Sequence, residues 1–155
     1  MTDHIPPGTK TTLASKERSR KLGQVFTPPV FVERMLNLLP VWNLPTEQLA
    51  TQRFLEPAMG NGNFIVAIIS RLVDRLTETG LTPAQAFHHA MERQIWGVEL
   101  DMPIYAECLQ RVDDLARSYG TRLGKHHLMQ GDGLEFMAQA RTQRPTGAQQ
   151  LELHV

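Results

Sequence analysis

Phe54-Leu55-Glu56-Pro57-Ala58-Met59-Gly60-Asn61-Gly62-Asn63-Phe64 reads as a buried strand that turns through a flexible loop into a helix. Phe54 and Leu55 supply apolar strand character, and Pro57 stops the strand just after a carboxylate, Glu56. Gly60 and Gly62 let the backbone turn tightly and approach a ligand closely, where a Cβ would clash. Asn63, or the loop before it, opens a helix whose free N–H groups face the same space. A Gly-x-Gly pair by itself has a plainer reading, a tight turn that holds nothing. At roughly 7% glycine, about one such pair arises by chance in a chain of this size.

The flanking sequence decides between them. Ile95-Trp96-Gly97-Val98-Glu99 is a compact apolar strand that again ends on a carboxylate, and His126 to Gln130 gives a third strand followed at once by Gly131-Asp132-Gly133. Between the first two strands, Phe64, Ile65, Ile68, Ile69, Leu72 and Leu76 form one helical face ending near Gly80, and Thr82-Pro83 starts a second short helix that reaches Arg93. Asp101, with Pro103 in the first turn, starts a helix with apolar positions from Ile104 to Tyr119, and Leu134 to Gln139 is a short helical stretch. Upstream, Thr27 before Pro28-Pro29 signals a helix start, with Val32, Met35, Leu36 and Leu39 at helical spacing until Pro40. Pro40 to Thr51 reads as a connection. Strand, helix, strand, helix, strand is the order of a right-handed parallel α/β sheet, whose ligands sit at the carboxyl ends of the strands. Here all three strand ends carry chemistry: Glu56 with the glycine loop, Glu99, and Asp132.

With 155 residues, 41% of them hydrophobic, the chain suits one modest domain with a real core. The expected division is a basic arm over 1–21, a sheet domain over 22–140, and a tail over 141–155. The net charge of +0 gives no whole-molecule argument for nucleic acid. Local charge exists in the arm, where Lys10, Lys16, Arg18, Arg20 and Lys21 face only Glu17. That segment is either solvated or a phosphate-contacting arm whose affinity falls with salt. The lone Cys108 lies in a helical pattern with Ile104, Val112, Leu115 and Tyr119, as a packing residue rather than a nucleophile. A single cysteine, no signal peptide and no long apolar run point to a cytoplasmic protein without a membrane partner. The pairs His88-His89 and His126-His127 are adjacent, so their rings point different ways and no metal is expected.

The loop chemistry narrows the ligand. A phosphate-binding loop offers Gly-x-x-x-x-Gly-Lys-Ser/Thr, and no lysine follows these glycines. A dinucleotide site wants a third small residue just past Phe64, where Ile65 stands, and an acid closer than Glu99. An adenosyl ligand without phosphates suits the chain better. Glu99 can take both ribose hydroxyls, Asp132 can accept from an adenine amino group, and Glu56 favours a cationic amino-acid end.

At this point Leu22-Gly23-Gln24-Val25-Phe26-Thr27-Pro28, Glu56 to Phe64, Gly97-Val98-Glu99-Leu100-Asp101 and Gly131-Asp132-Gly133-Leu134 resemble the opening motifs of S-adenosylmethionine-dependent N6-adenine DNA methyltransferases. Their order is that of the γ-type enzymes of restriction-modification systems, and the likeness spans residues 22 to 136. The resemblance implies a partial Rossmann-like parallel sheet of the methyltransferase type, about three strands with flanking helices. It implies S-adenosylmethionine as cofactor. Gln24, Val25, Phe26 and Thr27 would contact the methionine end, and Glu56, Pro57, Ala58, Gly60 and Gly62 would line its amino-acid part, with Asn63 and Phe64 in the same set. Glu99, beside Leu100, would hold the ribose, and Asp132, beside Gly133, the adenine. Thr27 also fits a helix N-cap, and Phe26 fits either the core or a base-stacking platform. Met59 and Asn61 depart from the family, which prefers a small residue or cysteine and a serine there.

Such enzymes flip the target adenine out of the duplex and hold it with an Asn/Asp-Pro-Pro-Tyr/Phe motif. The Pro-Pro pairs here, Pro6-Pro7 and Pro28-Pro29, lack its flanking residues. The expectation is a cofactor-binding portion with no catalytic residues, truncated or completed by a complementary methyltransferase chain, inactive alone and meeting DNA weakly or indirectly. An open sheet edge would favour such a partner or self-association. Two other readings stay open: a non-enzymatic cofactor-binding or interaction protein derived from such an enzyme, and a methyltransferase part acting on RNA or protein.

Overall fold

Residues 26–142 of the computed structural model are described; Gln24, Val25 and the basic segment from Lys10 to Lys21 lie outside them. In order come α1 (Pro29–Asn37), a 3-10 turn (Pro40–Asn43), α2 (Thr46–Leu49), β1 (Phe54–Glu56), α3 (Asn63–Thr77), α4 (Pro83–Arg93), β2 (Ile95–Glu99), α5 (Met102–Ser118), β3 (His127–Gln130) and α6 (Gly133–Thr142). The three strands form one sheet in the order β1-β2-β3. Both pairings are parallel, with Phe54 opposite Ile95 and Gly97 opposite Leu128. This is an α/β architecture, a partial Rossmann-like sheet with flanking helices.

Strand alternation gives the sheet two unlike faces. Phe54, Ile95, Gly97 and Leu128 share one face by register. It meets the core, where Ile65, Ile69, Leu72 and Leu76 of α3, Phe87 and Met91 of α4, and Val112 and Ala116 of α5 are buried. Gly97 is small where Met59, Leu128 and Ile65 converge, since a Cβ there would lie 2.6 Å from Met59 Sδ. On the opposite face Val98 is buried, whereas Leu55 is 44% and Met129 36% exposed. There the Trp96 ring stacks on His127 at 4.7 Å, with the Arg53 guanidinium 5.5 Å from the indole.

The helix starts follow local chemistry. Thr82 and Gln85 form a reciprocal capping box on α4, and Asp101 accepts the Ile104 N–H at the head of α5. Asp132 Oδ1 accepts from Leu134 N and Glu135 N, so α6 begins at Gly133. At α1 the expectation of a Thr27 cap fails, because Pro28 holds the N-cap position with no side-chain bond. Of the apolar positions expected in this helix, Val32 and Leu36 are buried and Met35 is exposed, while Leu39, also exposed, lies beyond its end at Asn37.

Residues 40–51 are more ordered than a plain connection. Arg75 of α3 donates to the carbonyls of Trp42 at 2.9 Å and Leu44 at 2.8 Å, and to Thr46 Oγ1 at 3.0 Å. Trp42 in turn stacks on Phe54 at 5.4 Å. The side-chain amide of the fully buried Gln94 donates to the carbonyls of Leu49 and Gln52, while the Gln94 backbone carbonyl accepts the Phe54 N–H at 2.7 Å. Among the described residues, no helix is long and apolar enough to cross a membrane.

Ahead of β3, burial holds the His126 imidazole below its ordinary 6.5, and neighbouring His127 adds to the effect. As pH falls, the unfolded chain then takes up this proton before the folded one. This contribution to stability is complete above 6.5 and is lost as pH falls through the lowered value. The stability from urea denaturation should therefore drop on acidification below about pH 6.5. The drop should be smaller in His126→Asn, which keeps an acceptor for the Leu128 N–H but cannot gain a proton.

Candidate functional site

The loop leaving β1 is packed from below and open on its other side. Gly62 has φ 84°, the left-handed conformation that disfavours a side chain, and a Cβ there would lie 2.6 Å from Cys108 Sγ. Cys108 is fully buried, and burial pushes its thiol up to about 12, so it is a packing group, as its helical pattern suggested. Met59 turns inward beside it: its N–H donates to Val98 O at 2.9 Å and its Sδ lies 3.9 Å from Cys108 Sγ.

The open side is a cleft of about 230 Å³ lined by Phe26, Thr27, Glu56, Ala58, Met59, Gly60, Asn61, Asn63 and Phe64. Two sequence-distant segments make its walls. The Phe26 ring lies over Gly60, so a Cβ at Gly60 would come within 3.3 Å of it. Phe26 is thus half-buried cleft wall rather than core. The Thr27 carbonyl accepts from Asn63 Nδ2 at 2.8 Å, which pins the segment before α1 to the first residue of α3.

The three strand-end carboxylates have different environments. Glu56 lines the cleft, and its Oε1 accepts the Ala58 N–H at 3.2 Å. Glu99 is only 9% exposed; its Oε2 accepts the Gly60 N–H at 2.9 Å and its Oε1 the Asp101 N–H at 2.8 Å. Asp132 is exposed and caps α6. The loops after β1 and β3 touch backbone to backbone, since a Cβ on Gly133 would fall 1.8 Å from the Pro57 carbonyl oxygen. Glu56, Pro57, Glu99, Asp132 and Gly133 therefore gather at one end of the sheet. Of these five the cleft lining takes in only Glu56; Pro57, Glu99, Asp132 and Gly133 lie outside it, as do Gly62 and Leu100. Leu100 is 66% exposed.

Met59 and Asn61, read from sequence as departures within the loop motif and not singled out as site residues, line the cleft, whereas sequence reasoning gave Arg111 no part. Arg111 Nη1 donates to Asn61 O at 2.6 Å and to Asn63 Oδ1 at 2.7 Å. No local pattern marks a contact between residues 48 and 50 positions apart. Among the described residues no cluster of three His, Cys, Asp or Glu could hold a metal. The rings of His88, His89 and His127 bond instead to Thr121 Oγ1, Ala50 O and Glu92 O.

No known family model matches the chain. Over 108 residues it is 28% identical to the Type II methyltransferase M.BstVI of Geobacillus stearothermophilus, a match that covers 70% of this chain and 19% of that protein. The likeness is to a methyltransferase. A cryo-electron microscopy structure of the DrdV–DNA complex contains a chain that aligns with a TM-score of 0.54 and 18% identity, covering 77% of this chain and 11% of that one. At this identity the second match speaks for the fold alone. The chain thus spans about a fifth of its methyltransferase relative.

Gly62→Ala should destabilise the fold by roughly 2–4 kcal/mol, from left-handed strain together with overpacking against Cys108. In a Cys108→Ala background the same change should cost less, because the steric part disappears and the strain remains. Urea denaturation of the four proteins in the cycle measures both.

Proposed function

We propose that the cleft holds the methionine end of S-adenosylmethionine, and that the chain is the cofactor-binding portion of an adenine-specific DNA methyltransferase. The observation that carries this is the meeting of Phe26-Thr27 with Glu56–Phe64 around one cleft at the carboxyl end of β1. Two separate motifs that resemble those of methyltransferases converge there. Small-molecule pockets usually occupy about 300–1,000 Å³, so about 230 Å³ suits part of the ligand rather than all of it.

In this reading Glu56 receives the cationic amino group, and the adenosine extends toward Glu99 and Asp132 at the neighbouring strand ends. Two carboxylate oxygens offer about four lone-pair sites, so Glu99 keeps acceptor capacity for ribose hydroxyls after binding two backbone N–H groups. Leu100, just after β2, and Leu134, two residues beyond Asp132, are 66% and 73% exposed and would offer apolar cover for an adenine ring. When bound, the cofactor supplies an electrophilic methyl group on a sulfonium.

Acceptor and catalysis come from elsewhere in this reading. The 155 residues contain no Asn/Asp-Pro-Pro-Tyr/Phe to hold a flipped adenine. A complementary polypeptide would dock along β1, which among the described residues pairs only with β2. DNA is then met chiefly through the completed assembly.

Calorimetry of the 155-residue chain with S-adenosylmethionine should show binding that weakens about tenfold in Glu56→Gln, the loss of one charge-assisted contact. No binding at millimolar ligand would overturn the cofactor reading. Tritiated methyl transfer to DNA by this chain alone should stay at background, and incorporation above it would overturn the proposed division of labour.

A further inference from the structure

We propose that Arg111 is a positioning residue for the cleft: through the side-chain amide of Asn63 it fixes how Phe26-Thr27 closes on the glycine loop. The guanidinium, on α5, donates from Nη1 to Asn61 O at 2.6 Å and to Asn63 Oδ1 at 2.7 Å, and Asn63 Nδ2 then donates to Thr27 O at 2.8 Å. Direction is built into this relay. A guanidinium only donates and a backbone carbonyl only accepts, while an amide presents one end of each kind. Arg111 therefore selects the orientation of Asn63 in which the NH2 faces Thr27. The reverse orientation would set NH2 against guanidinium and oxygen against oxygen.

The same helix is tied to the loop a second time at its start, where Glu99 joins the Asp101 N–H to the Gly60 N–H. Helix α5 thus acts as a rigid strut, bonded to the loop at its start and again through Arg111. Among the described residues the arginine ion pairs lie at Arg71, Arg75, Arg117 and Arg122, whereas Arg111 Nη1 donates to neutral oxygens of the loop and of Asn63.

The effect on affinity rests on the cofactor reading above; the mechanical effect does not. Three variants separate positioning from plain support. Asn63→Asp keeps, and charges, the contact to Arg111 but turns an oxygen toward the Thr27 carbonyl. A merely structural role for Arg111 predicts that this variant is neutral or stabilising. Positioning predicts about tenfold weaker S-adenosylmethionine binding, the effect of losing one charge-coupled hydrogen bond. Arg111→Met should show a comparable loss, and Arg111→Lys should recover part of it, since an ammonium can still donate to one of the two acceptors. Hydrogen exchange without ligand should quicken at residues 26–27 and 59–63 in both Asn63→Asp and Arg111→Met. Wild-type binding with unchanged affinity in Asn63→Asp and Arg111→Lys would overturn the proposal. If the wild type binds no S-adenosylmethionine, the cofactor reading fails, and exchange decides the relay alone: protection equal to wild type in Asn63→Asp would overturn it. Asn63→Asp and Arg111→Lys keep the test open if Arg111→Met does not fold.

Discussion

The carboxylate of Glu99 is the joint on which this end of the molecule depends. One oxygen holds the Gly60 N–H of the glycine loop and the other the Asp101 N–H at the start of α5, while the Glu99 backbone carbonyl accepts the Gly131 N–H after β3. One residue at the end of the central strand thus sets the positions of the chain leaving all three strands. Hydrogen bonds to a charged group contribute about 1.5–3 kcal/mol each, and a buried N–H left without an acceptor is costly. With 9% exposure, Glu99 is a structural clasp first. Any ligand it receives must use acceptor sites left over from that task.

The two faces of the sheet follow from the hand of its connections. Both crossovers step from β1 toward β3, and right-handed connections in one direction place their helices on one face. That face carries Ile95 and Gly97 and is packed by α3, α4 and α5. Parallel sheets are ordinarily covered on both sides, and Leu55 and Met129 remain 44% and 36% exposed on the other. Strands added beyond β1 would step the opposite way and return their helices over Leu55, Trp96 and Met129. The open edge and the partly covered face are therefore one feature, and the cleft lies beside it, at the point where such a sheet would change direction.

What the sequence revealed was chemistry that acts within a few residues. The strand at 95–99 was legible because five consecutive residues carry both its apolar character and its terminal carboxylate. The α4 cap was legible because Thr82 and Gln85 lie a single turn apart. Where partners are remote, pattern was silent or misleading. Residues 40–51 owe their order to Arg75 and to a stack with Phe54, and neither contact leaves a trace in the segment itself. Thr27 has the right side chain for a cap, but Pro28 takes that position and Asn63 binds the Thr27 carbonyl. The strand-end carboxylates were identifiable by type and place, whereas the inward turn of Glu99 depends on N–H groups from two other segments.

A full account of the loop's backbone donors narrows what its open side can accept. Ala58 N–H goes to Glu56, Met59 N–H to Val98, Gly60 N–H to Glu99 and Gly62 N–H to Met59 O. Among the described residues, the Asn61 N–H is the donor in residues 58–62 left without a bonded acceptor. Beside it, the first-turn N–H groups of α3 have no partner within their helix, and Asn63 and Phe64 both line the cleft. The cleft thus sets a negative carboxylate, Glu56, on one wall against backbone donors at a helix N-terminus on another. An anion alone would be repelled by the first wall, and a cation alone would leave the donors of the second unmatched. A zwitterion would satisfy both, which supports the amino-acid end of the proposed adenosyl ligand over a phosphate or a simple amine.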